Sequence, residues 1–540
     1  MATLSYSRGP QTPLRSDTIF EALAAQAANF PGHEALVVRH QNIRLTFSEL
    51  NRQVQDTARG LVGLGLKPGD RVGVWASGCV EWVLIFLACA RAGFVQVNVN
   101  PAYRSQDLGY VIRKSRIKAL FLHARDARAN YREILEAAVG RQEVPLQHVI
   151  YLGEDSWRNM LANGIDAPPH PAAPHDIFNI QYTSGTTGSP KGVLLTHHNI
   201  LNNGLVMAQW MNFTERDRFV VGFPLYHCAG CVLGILTCLV SGATLILASP
   251  QFDAGKTLEA IDAERATALS GSPTMFIAEL SHPEFNRYNL KSLRTGGMGG
   301  SPCPIEIMKR VVEEMYCRQM LVIYGQTESS PLITMSRADD DLEHRVCTIG
   351  CATPNIEVKI VSPITGDTVP VGEQGELCTR GYHVMKGYDE EPEASRKAID
   401  KEGWLHTGDL ATMRPDGYLK ITGRAKDMII RGGENIYPRE IEEFFFSHAK
   451  IMDVQVVGLP DAKHGEIVLA WVRLKPGESC SEKELRDFCE GKIAYFKIPE
   501  YFRFVTEFPM TVTGKIQKFK IREQEIRERR LEDVARIKTA

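Results

Sequence analysis

The alternation of short apolar runs with amphipathic segments is the feature that most constrains the fold of this chain. Residues 71–76 predict a strand before a helix around 81–92, and residues 93–98 predict the next strand. A helix at 108–115 then leads to a strand at 119–123. Strands that alternate with helices form parallel sheets covered by helices, because each parallel connection has to cross the sheet. The sequence therefore predicts an α/β protein.

Breaks in composition predict the domain organisation. A proline-rich connector begins at Ala167, short strands with Gly and Pro turns begin near Ile356, and a polar break begins at Gly423. We expect a large N-terminal domain of two parallel-sheet α/β subdomains and one small β-rich subdomain, followed by a small, mobile α+β C-terminal domain. The expected bounds are 1–175, 176–355 and 356–424 for the subdomains, 1–424 for the whole N-terminal domain, and 425–540 for the C-terminal domain.

The charge balance argues against a polyanionic partner. Lys and Arg total 62 against 64 Asp and Glu in 540 residues, which gives a formal net charge of -2. Such a chain has no overall positive field to attract nucleic acid or an anionic membrane. We therefore expect no nucleic-acid partner, and any anion that binds has to be held by local groups.

The sequence also bears on localisation. The first residues lack the apolar core of a secretory signal, and the twelve scattered cysteines are typical of reduced thiols. Residues 220–252 carry no charge and are long enough for a membrane span. However, Gly230, Gly234 and Gly242 divide this stretch into a short helix, a turn and a buried strand. We therefore expect a cytoplasmic protein without a transmembrane segment.

The loop after the apolar run at 176–181 carries the strongest functional signal. Its glycines let the backbone approach a polyphosphate, its N–H groups and hydroxyls can donate to phosphate oxygens, and Lys191 adds a positive charge. The Walker pattern requires a glycine five residues after Gly185, but Pro190 stands there. A flexible linker is the alternative, and the apolar strand at 193–195 disfavours it. The predicted phosphate-binding residues are Thr183, Ser184, Gly185, Thr186, Thr187, Gly188, Ser189, Pro190 and Lys191.

Together with further motifs, this loop resembles the adenylate-forming superfamily of acyl-CoA synthetases, peptide-synthetase adenylation domains and beetle luciferases. The resemblance runs from near residue 20 to about residue 520. The other motifs, in the family's order, are Phe223-Pro-Leu-Tyr-His227, Gly299-Gly-Ser-Pro302, Tyr324-Gly-Gln-Thr-Glu328, Trp404-Leu-His-Thr-Gly-Asp409, Gly423-Arg-Ala-Lys426 and Thr513-Gly-Lys515. The resemblance implies an ATP-dependent acid:CoA ligase, which forms an acyl-adenylate and then a CoA thioester, with release of pyrophosphate and AMP.

The resemblance also assigns roles to residues. The implied catalytic residues are Lys515 and Thr187 for adenylation, His227 beside the acid, and Lys426 at the hinge between domains. The implied nucleotide- and CoA-binding residues, besides the phosphate loop, are Gly300, Ser301, Pro302, Tyr324, Gly325, Gln326, Thr327, Asp409, Arg424, Gly432 and Gly433. Glu328 is the implied ligand of Mg²⁺, a hard cation that prefers carboxylate and phosphate oxygens. The implied small-molecule partners are ATP, Mg²⁺, coenzyme A and a carboxylic acid.

The acid is predicted from residues near His227. Peptide-synthetase adenylation domains carry an aspartate at this position, whereas residues 228–232 form a small, neutral wall suited to an acyl chain or a ring. The motifs at 298–304 and 431–438 are most similar to those of medium-chain fatty acyl-CoA synthetases. A medium-chain fatty acid is therefore the expected substrate. A ligase for a short, aryl or methylthio-substituted acid and an enzyme that loads a carrier protein stay open, as does the choice between monomer and homodimer.

The role of Lys515 gives the first testable prediction. A mobile ammonium can bridge the acid's carboxylate oxygen and the α-phosphate as charge develops in the transition state. Lys515→Ala should therefore slow adenylation by about two orders of magnitude or more. Acid-dependent exchange of pyrophosphate into ATP measures this step, and exchange at the wild-type rate by the folded variant would contradict the assignment.

Overall fold

The computed structural model describes residues 3–140, 144–183, 190–301, 303–424, 427–431, 434–461, 463–510 and 516–535. The chain divides into two compact units. The larger unit consists of residues 7–358 and 379–406, and the smaller unit consists of residues 1–6, 359–378 and 407–540. The domain and subdomain bounds expected from the sequence stay predictions.

The elements of the described residues follow in chain order. The strands are β1 (Tyr6–Arg8), β2 (Glu34–Val38), β3 (Ile43–Thr46), β4 (Arg71–Trp75), β5 (Val95–Asn98), β6 (Ile117–Leu122), β7 (His148–Tyr151), β8 (Ile177–Thr183), β9 (Lys191–Thr196), β10 (Arg218–Val221), β11 (Thr244–Leu247), β12 (Ala268–Gly271), β13 (Thr295–Gly299), β14 (Gln319–Tyr324), β15 (Thr334–Met335), β16 (Cys351–Ala352), β17 (Ile356–Val361), β18 (Gly375–Gly381), β19 (Gly387–Tyr388), β20 (Leu405–Met413), β21 (Leu419–Arg424), β22 (Ile429–Arg431), β23 (Glu434–Ile436), β24 (Ile451–Asp461), β25 (Gly465–Leu474) and β26 (Tyr501–Phe504). The helices are α1 (Ile19–Asn29), α2 (Phe47–Gly63), α3 (Val80–Ala92), α4 (Ser105–Lys114), α5 (Tyr131–Val139), α6 (Asp155–Ala162), α7 (His197–Trp210), α8 (Cys228–Gly230), α9 (Thr237–Ser241), α10 (Ala254–Glu264), α11 (Pro273–Leu280), α12 (Ile305–Glu314), α13 (Leu342–Cys347), α14 (Pro392–Ala398), α15 (Pro438–Phe446), α16 (Glu482–Cys489), α17 (Lys518–Glu528) and α18 (Glu532–Ala535), with a π-helix at Cys231–Leu236 between α8 and α9.

The first sheet, called sheet A, has the strand order β19-β9-β8-β5-β4-β6-β7. Its strands from β8 to β7 are parallel, whereas β9 is antiparallel to β8 and β19 is antiparallel to β9. The strands and helices predicted between residues 71 and 123 are confirmed as β4, α3, β5, α4 and β6. Helix α3 is buried almost throughout, because it lies between sheet A and helix α2.

The second sheet, called sheet B, has the order β16-β15-β14-β13-β12-β10-β11-β2-β3. The strands from β14 to β2 are parallel, and the antiparallel strands β15, β16 and β3 lie at its two edges. Helix α2, which follows β3, begins at a capping box in which Thr46 and Glu49 satisfy each other's backbone N–H groups. The predicted α/β fold class is confirmed.

Two smaller sheets complete the described fold. One has the order β1-β17-β18-β20-β21, and the other has the order β23-β22-β25-β24 with β26 parallel to β25. Strands β22 and β23 come before α15, which begins at Pro438. Pro438 occupies the first turn of α15, where its missing N–H costs no hydrogen bond.

The uncharged stretch at 220–252 folds as predicted into helical segments, a turn and a buried strand. Helix α9 ends at Gly242, which has a left-handed backbone with φ of 76°, and β11 follows directly. Across the described ranges, no helix combines the length and the apolar composition that a membrane crossing requires.

A buried carboxylate joins the N-terminal strands to the middle of sheet B. Glu264 accepts hydrogen bonds from Arg39 (2.8 Å), Arg44 (2.6 Å) and Arg218 (2.8 Å). Burial by itself would raise the pKa of Glu264, but the three guanidinium groups outweigh it and lower the pKa. The carboxylate therefore stays ionised and holds β3 and β10 together.

The Glu264 cluster gives a prediction about stability. Glu264→Gln keeps the side-chain shape but removes the buried charge that three guanidinium groups share, which leaves them with the more exposed Glu34 and Glu259. The free energy of unfolding should therefore fall by about 3 kcal/mol. Urea unfolding measures this change. Glu259→Gln is the matched control, because Glu259 also contacts Arg39 at 2.8 Å but its side chain is 42% exposed against 4% for Glu264. The control should lose less than about 1 kcal/mol, and equal losses would contradict the role of burial.

Candidate active site

The predicted phosphate loop connects two paired antiparallel strands. Thr183 ends β8 and Lys191 begins β9, and these two residues are register partners, as are Tyr182 and Gly192. Backbone pairing therefore fixes both ends of the loop in sheet A. Ser184, Gly185, Thr186, Thr187, Gly188 and Ser189 lie outside the described residues, and their phosphate contacts stay predictions.

Side chains on the neighbouring helix α4 and just beyond it support the base of the loop. The hydroxyl of Tyr110 donates to the carbonyl of Pro190 at 3.1 Å. The hydroxyls of Tyr182 and Ser115 lie 2.7 Å apart. Side-chain hydrogen bonds thus hold the base of the loop in addition to the backbone pairing of β8 with β9.

An ion pair fixes the edge strand β19 against this base. Arg71 makes two hydrogen bonds to the buried carboxylate of Asp389, at 2.7 and 2.8 Å, and also donates to the carbonyl of Ser115. The backbone N–H of Asp389 donates to the carbonyl of Gly192 at 2.7 Å. A bidentate guanidinium–carboxylate pair restricts orientation as well as distance, so β19 is rigidly placed.

Tyr388 on β19 contacts two residues that the sequence had singled out. The ammonium nitrogen of Lys191 lies 4.9 Å from the centroid of the Tyr388 ring. The Tyr388 hydroxyl donates to Oε1 of Glu328 at 2.9 Å. The predicted phosphate-binding lysine and the predicted metal ligand therefore share one neighbour.

The turn that carries Glu328 requires a glycine. Strand β14 ends at Tyr324, and a Cβ atom on Gly325 would lie only 1.6 Å from the carbonyl oxygen of Pro331. Gln326 and Ser329 then cap the short 3₁₀ helix at Thr327–Ser329. The backbone thus doubles back after β14 and places half-buried Glu328 beside Tyr388.

Two predicted nucleotide segments leave sheet B at the same edge. Gly299 ends β13 and pairs with Ile323, one residue before the end of the parallel strand β14. Exposed Gly300 and half-buried Ser301 follow Gly299, as Gly325 follows Tyr324. The carboxyl edge of a parallel sheet is where ligands bind in open α/β folds. Pro302 lies outside the described residues.

The segment predicted to lie beside the acid is a capped helical turn. Nδ1 of half-buried His227 accepts the N–H of Ala229 at 3.1 Å, so the N–H of the neutral imidazole is on Nε2. Sγ of Cys228 lies 3.7 Å from Oγ1 of Thr327, which joins this segment to the Glu328 turn. Burial raises the pKa of the Cys228 thiol to about 12, so it packs as a neutral group.

A row of buried amides connects the same segment to the phosphate-loop strand. Gln96 and Asn98 on β5 are register partners of Asn179 and Gln181 on β8, and all four side chains are buried. Asn98 Oδ1 accepts from Gln96 and Asn179, while Asn179 Oδ1 accepts from Gln181 at 2.7 Å. Gln181 also reaches Sγ of Cys231 at 3.4 Å. This amide ladder therefore joins the neighbouring strands β5 and β8 and ends at Cys231 in the segment predicted to lie beside the acid.

The smaller unit contains a second predicted pair. Asp409 on β20 and Arg424 on β21 are register partners, and Nε of Arg424 lies 2.9 Å from Oδ1 of Asp409. The carboxylate is only 7% exposed. The structure thus brings these two predicted nucleotide-binding residues together, while the contact of Asp409 with ribose stays a prediction.

Comparisons with known proteins decide the family. The AMP-binding enzyme family matches residues 23–389, and the AMP-binding enzyme C-terminal domain matches residues 440–515. The chain belongs to the AMP-binding enzyme family. It is an enzyme of the acyl-CoA synthetase type, as the sequence predicted.

Individual relatives of this AMP-binding enzyme cover nearly all of it. The protein YngI of Bacillus subtilis is 46% identical over 94% of this chain and 97% of its own length. The human mitochondrial medium-chain acyl-CoA ligase ACSF2 is 41% identical over 96% of this chain and 90% of its own length. The ATP-bound structure of MatB from Rhodopseudomonas palustris is 29% identical, with a TM-score of 0.86 over 95% of this chain and 99% of MatB.

Four further predicted residues of this AMP-binding enzyme have no described position. Lys426, Gly432, Gly433 and Lys515 lie outside the described residues, so the hinge, the pantetheine contact and the adenylation lysine stay predictions. Sequence reasoning missed Tyr388, Asp389, Arg71 and the amide ladder. Of these, only the amide ladder could have been found from the sequence. Amides alternate with apolar residues at 95–98 and 178–181, which is unusual because a parallel sheet buries such strands on both faces.

The amide ladder gives a prediction for the AMP-binding enzyme. Gln181→Met keeps the volume of the side chain but leaves Asn179 Oδ1 without the amide donor that Gln181 provides, so the free energy of unfolding should fall by about 2 kcal/mol. Because Gln181 also positions Cys231, KM should rise more for the acid than for ATP. Unfolding and steady-state kinetics measure the two effects.

Gln209→Met is the matched control, because Gln209 is exposed on helix α7. It should leave both the unfolding free energy and the two KM values near wild type. A change in KM for ATP and the acid by the same factor in Gln181→Met would contradict the link between the ladder and the acid pocket.

Proposed function

We propose that this enzyme joins a medium-chain fatty acid to coenzyme A through an acyl-adenylate, using ATP and releasing pyrophosphate and AMP. The observation that carries the proposal is the set of contacts linking three motifs: Lys191 to Glu328 through Tyr388, and Thr327 to Cys228. A phosphate-loop cation, a carboxylate and an apolar acid segment are what adenylation of an acid needs in one place. The identity to ACSF2, a medium-chain acyl-CoA ligase by name, supports the substrate.

In the first half-reaction the acid attacks the α-phosphate and pyrophosphate leaves. Lys191 lies at the end of the phosphate loop and would offset negative charge on the pyrophosphate. Glu328 suits a Mg²⁺ ion, because its carboxylate is half-buried and one of its oxygens keeps acceptor capacity beyond the bond from Tyr388. When bound, the ion would neutralise phosphate charge. Lys515, in its proposed role, would bridge the carboxylate and the α-phosphate.

The proposed adenosine-binding residues come from several motifs of the sequence. Asp409 is an acceptor for the two ribose hydroxyls, and Arg424 orients it through the 2.9 Å contact. Gly300 and Ser301 would lie along the adenine, at the edge where β13 and β14 end. Tyr324, Gly325 and Gln326 would line the nucleotide from the adjacent turn.

The second half-reaction requires the pantetheine thiol to reach the acyl carbonyl after pyrophosphate has left. We propose that the C-terminal domain, 425–540, moves about Lys426 and that Gly432 and Gly433 let pantetheine pass close to the backbone. His227 and the protonated thiols of Cys228 and Cys231 form the neutral wall for the acyl chain.

The proposed compartment is the cytoplasm, and a homodimer stays a prediction.

Pyrophosphate release across a panel of straight-chain, branched, aryl and amino acids tests the proposed function. Release should be greatest with medium straight-chain acids and should continue through many turnovers only when CoA is present, because CoA removes the bound adenylate. A maximum at amino acids, or release that does not depend on the acid, would contradict the proposal. Replacing CoA with a phosphopantetheinylated carrier protein distinguishes the carrier-loading alternative.

A further inference from the structure

The backbone around Tyr388 is attached to both charged elements of the proposed phosphate site. Tyr388 pairs with Val193 on β9, and the N–H of Lys386 donates to the carbonyl of Leu194. On the other side, the N–H of Met385 donates to the carbonyl of Glu328 at 2.9 Å. The segment 385–389 thus bridges the strand that carries Lys191 and the turn that carries Glu328.

Strand geometry explains why the Tyr388 ring meets Lys191. Since Val193 is opposite Tyr388 in an antiparallel pair, Lys191 is its diagonal neighbour on the same face of sheet A. Long and aromatic side chains reach across this diagonal, and the ammonium lies 4.9 Å from the ring centroid. The N–H of Tyr388 donates to Oγ of Ser395 at 2.8 Å, which restricts its backbone further.

The Tyr388 hydroxyl fixes the carboxylate. It donates to Oε1 of Glu328 at 2.9 Å and so fixes the orientation of this carboxylate. Within the part of the chain that the structure describes, Lys191 and Glu328 form no ion pair with each other.

We propose that Tyr388 is a positioning residue that holds Lys191 and Glu328 apart and in register for the triphosphate and its metal ion. An ammonium and a carboxylate that lie side by side would form an ion pair. The paired ammonium would then attract the triphosphate less strongly, and the paired carboxylate would attract the metal ion less strongly. Tyr388 contacts both groups: its ring face attracts the ammonium, and its hydroxyl directs the carboxylate. This inference rests on the proposed function and adds a residue that no motif had indicated.

Two substitutions separate the two contacts of Tyr388. Tyr388→Phe keeps the ring beneath Lys191 and removes the bond to Glu328. Tyr388→Leu removes both contacts. The readout is calorimetric binding of an ATP analogue with a methylene bridge between the α- and β-phosphates, so that no adenylate forms, titrated with Mg²⁺ and with a chelator.

The expected results differ between the variants. Tyr388→Phe should bind the metal-free analogue within about twofold of wild type, since the cation–π contact persists. The factor by which Mg²⁺ strengthens binding of the analogue should be about tenfold smaller in Tyr388→Phe than in the wild type. A tenfold change is the scale of a hydrogen bond to a charged group. Tyr388→Leu should also weaken metal-free binding by about fivefold, the scale of a cation–π contact. In steady state, KM for ATP should rise more than KM for the acid.

Tyr151 provides matched controls at the far end of sheet A. It lies on β7, and its ring lies beneath the Arg132 guanidinium at 4.2 Å. Tyr151→Phe and Tyr151→Leu should leave analogue binding and its Mg²⁺ dependence at wild-type values. Thermal unfolding of all four variants checks the fold, and Tyr388→Phe decides the proposal by itself if Tyr388→Leu does not fold, because a phenyl ring fills the same space.

The outcomes distinguish this inference from the proposed function. If Tyr388→Phe keeps the full effect of Mg²⁺ on binding, the positioning role is wrong, even when the wild type adenylates fatty acids. If Tyr388→Phe loses metal-free binding as severely as Tyr388→Leu, the separation of roles between ring and hydroxyl is wrong. If the wild type neither binds the analogue nor releases pyrophosphate with any acid, the proposed function itself fails.

Discussion

The pairing of β8 with β9 is the interaction on which the rest of the site depends. It places Thr183 opposite Lys191, so the loop between them begins and ends in a hydrogen-bonded sheet rather than in a free connection. If the ends of a glycine-rich loop could move, the loop would bind phosphate weakly. Part of the free energy of each phosphate contact would then be spent on ordering the loop. The sheet supplies that order in advance.

Strand β8 also links the phosphate loop to the acid segment. Its backbone holds the loop, while Asn179 donates to Asn98 on β5, and Gln181 donates to Asn179 and reaches Sγ of Cys231. Buried amides are costly unless each finds a partner, and a row of them fixes the position of every member. Displacement of the loop strand would therefore disturb the acid pocket as well. The chemistry requires this coupling, because an adenylate forms only when carboxylate and α-phosphate meet in line.

The sequence predicted local structure well and sheet composition poorly. Strands β4, β5 and β6 follow from apolar runs flanked by helical patterns, and the uncharged stretch at 220–252 forms the expected helical segments, turn and buried strand. In contrast, β2 and β3 join sheet B beside β11, more than two hundred residues later along the chain. No periodicity encodes such a partner, because strand pairing depends on how the whole sheet packs. Strand β19 could not be predicted for the same reason, because its two residues show no strand pattern and its pairing depends on how sheet A packs.

For the candidate site too, the sequence indicated individual residues but not the contacts that depend on strand register. Motif order singled out Glu328 and Lys191, and the resemblance named Asp409 and Arg424, which occupy opposite positions on β20 and β21. The contacts of Tyr388 depend on the register between distant strands, so no local pattern could show them.

The fate of a heavy oxygen label in the carboxylate of the fatty acid tests the central claim most directly. Attack of this carboxylate on the α-phosphate followed by thiol transfer places one labelled oxygen in AMP, so mass spectrometry should find labelled AMP and unlabelled pyrophosphate. Label in orthophosphate with formation of ADP would mean an acyl-phosphate intermediate and would contradict adenylate formation by this enzyme.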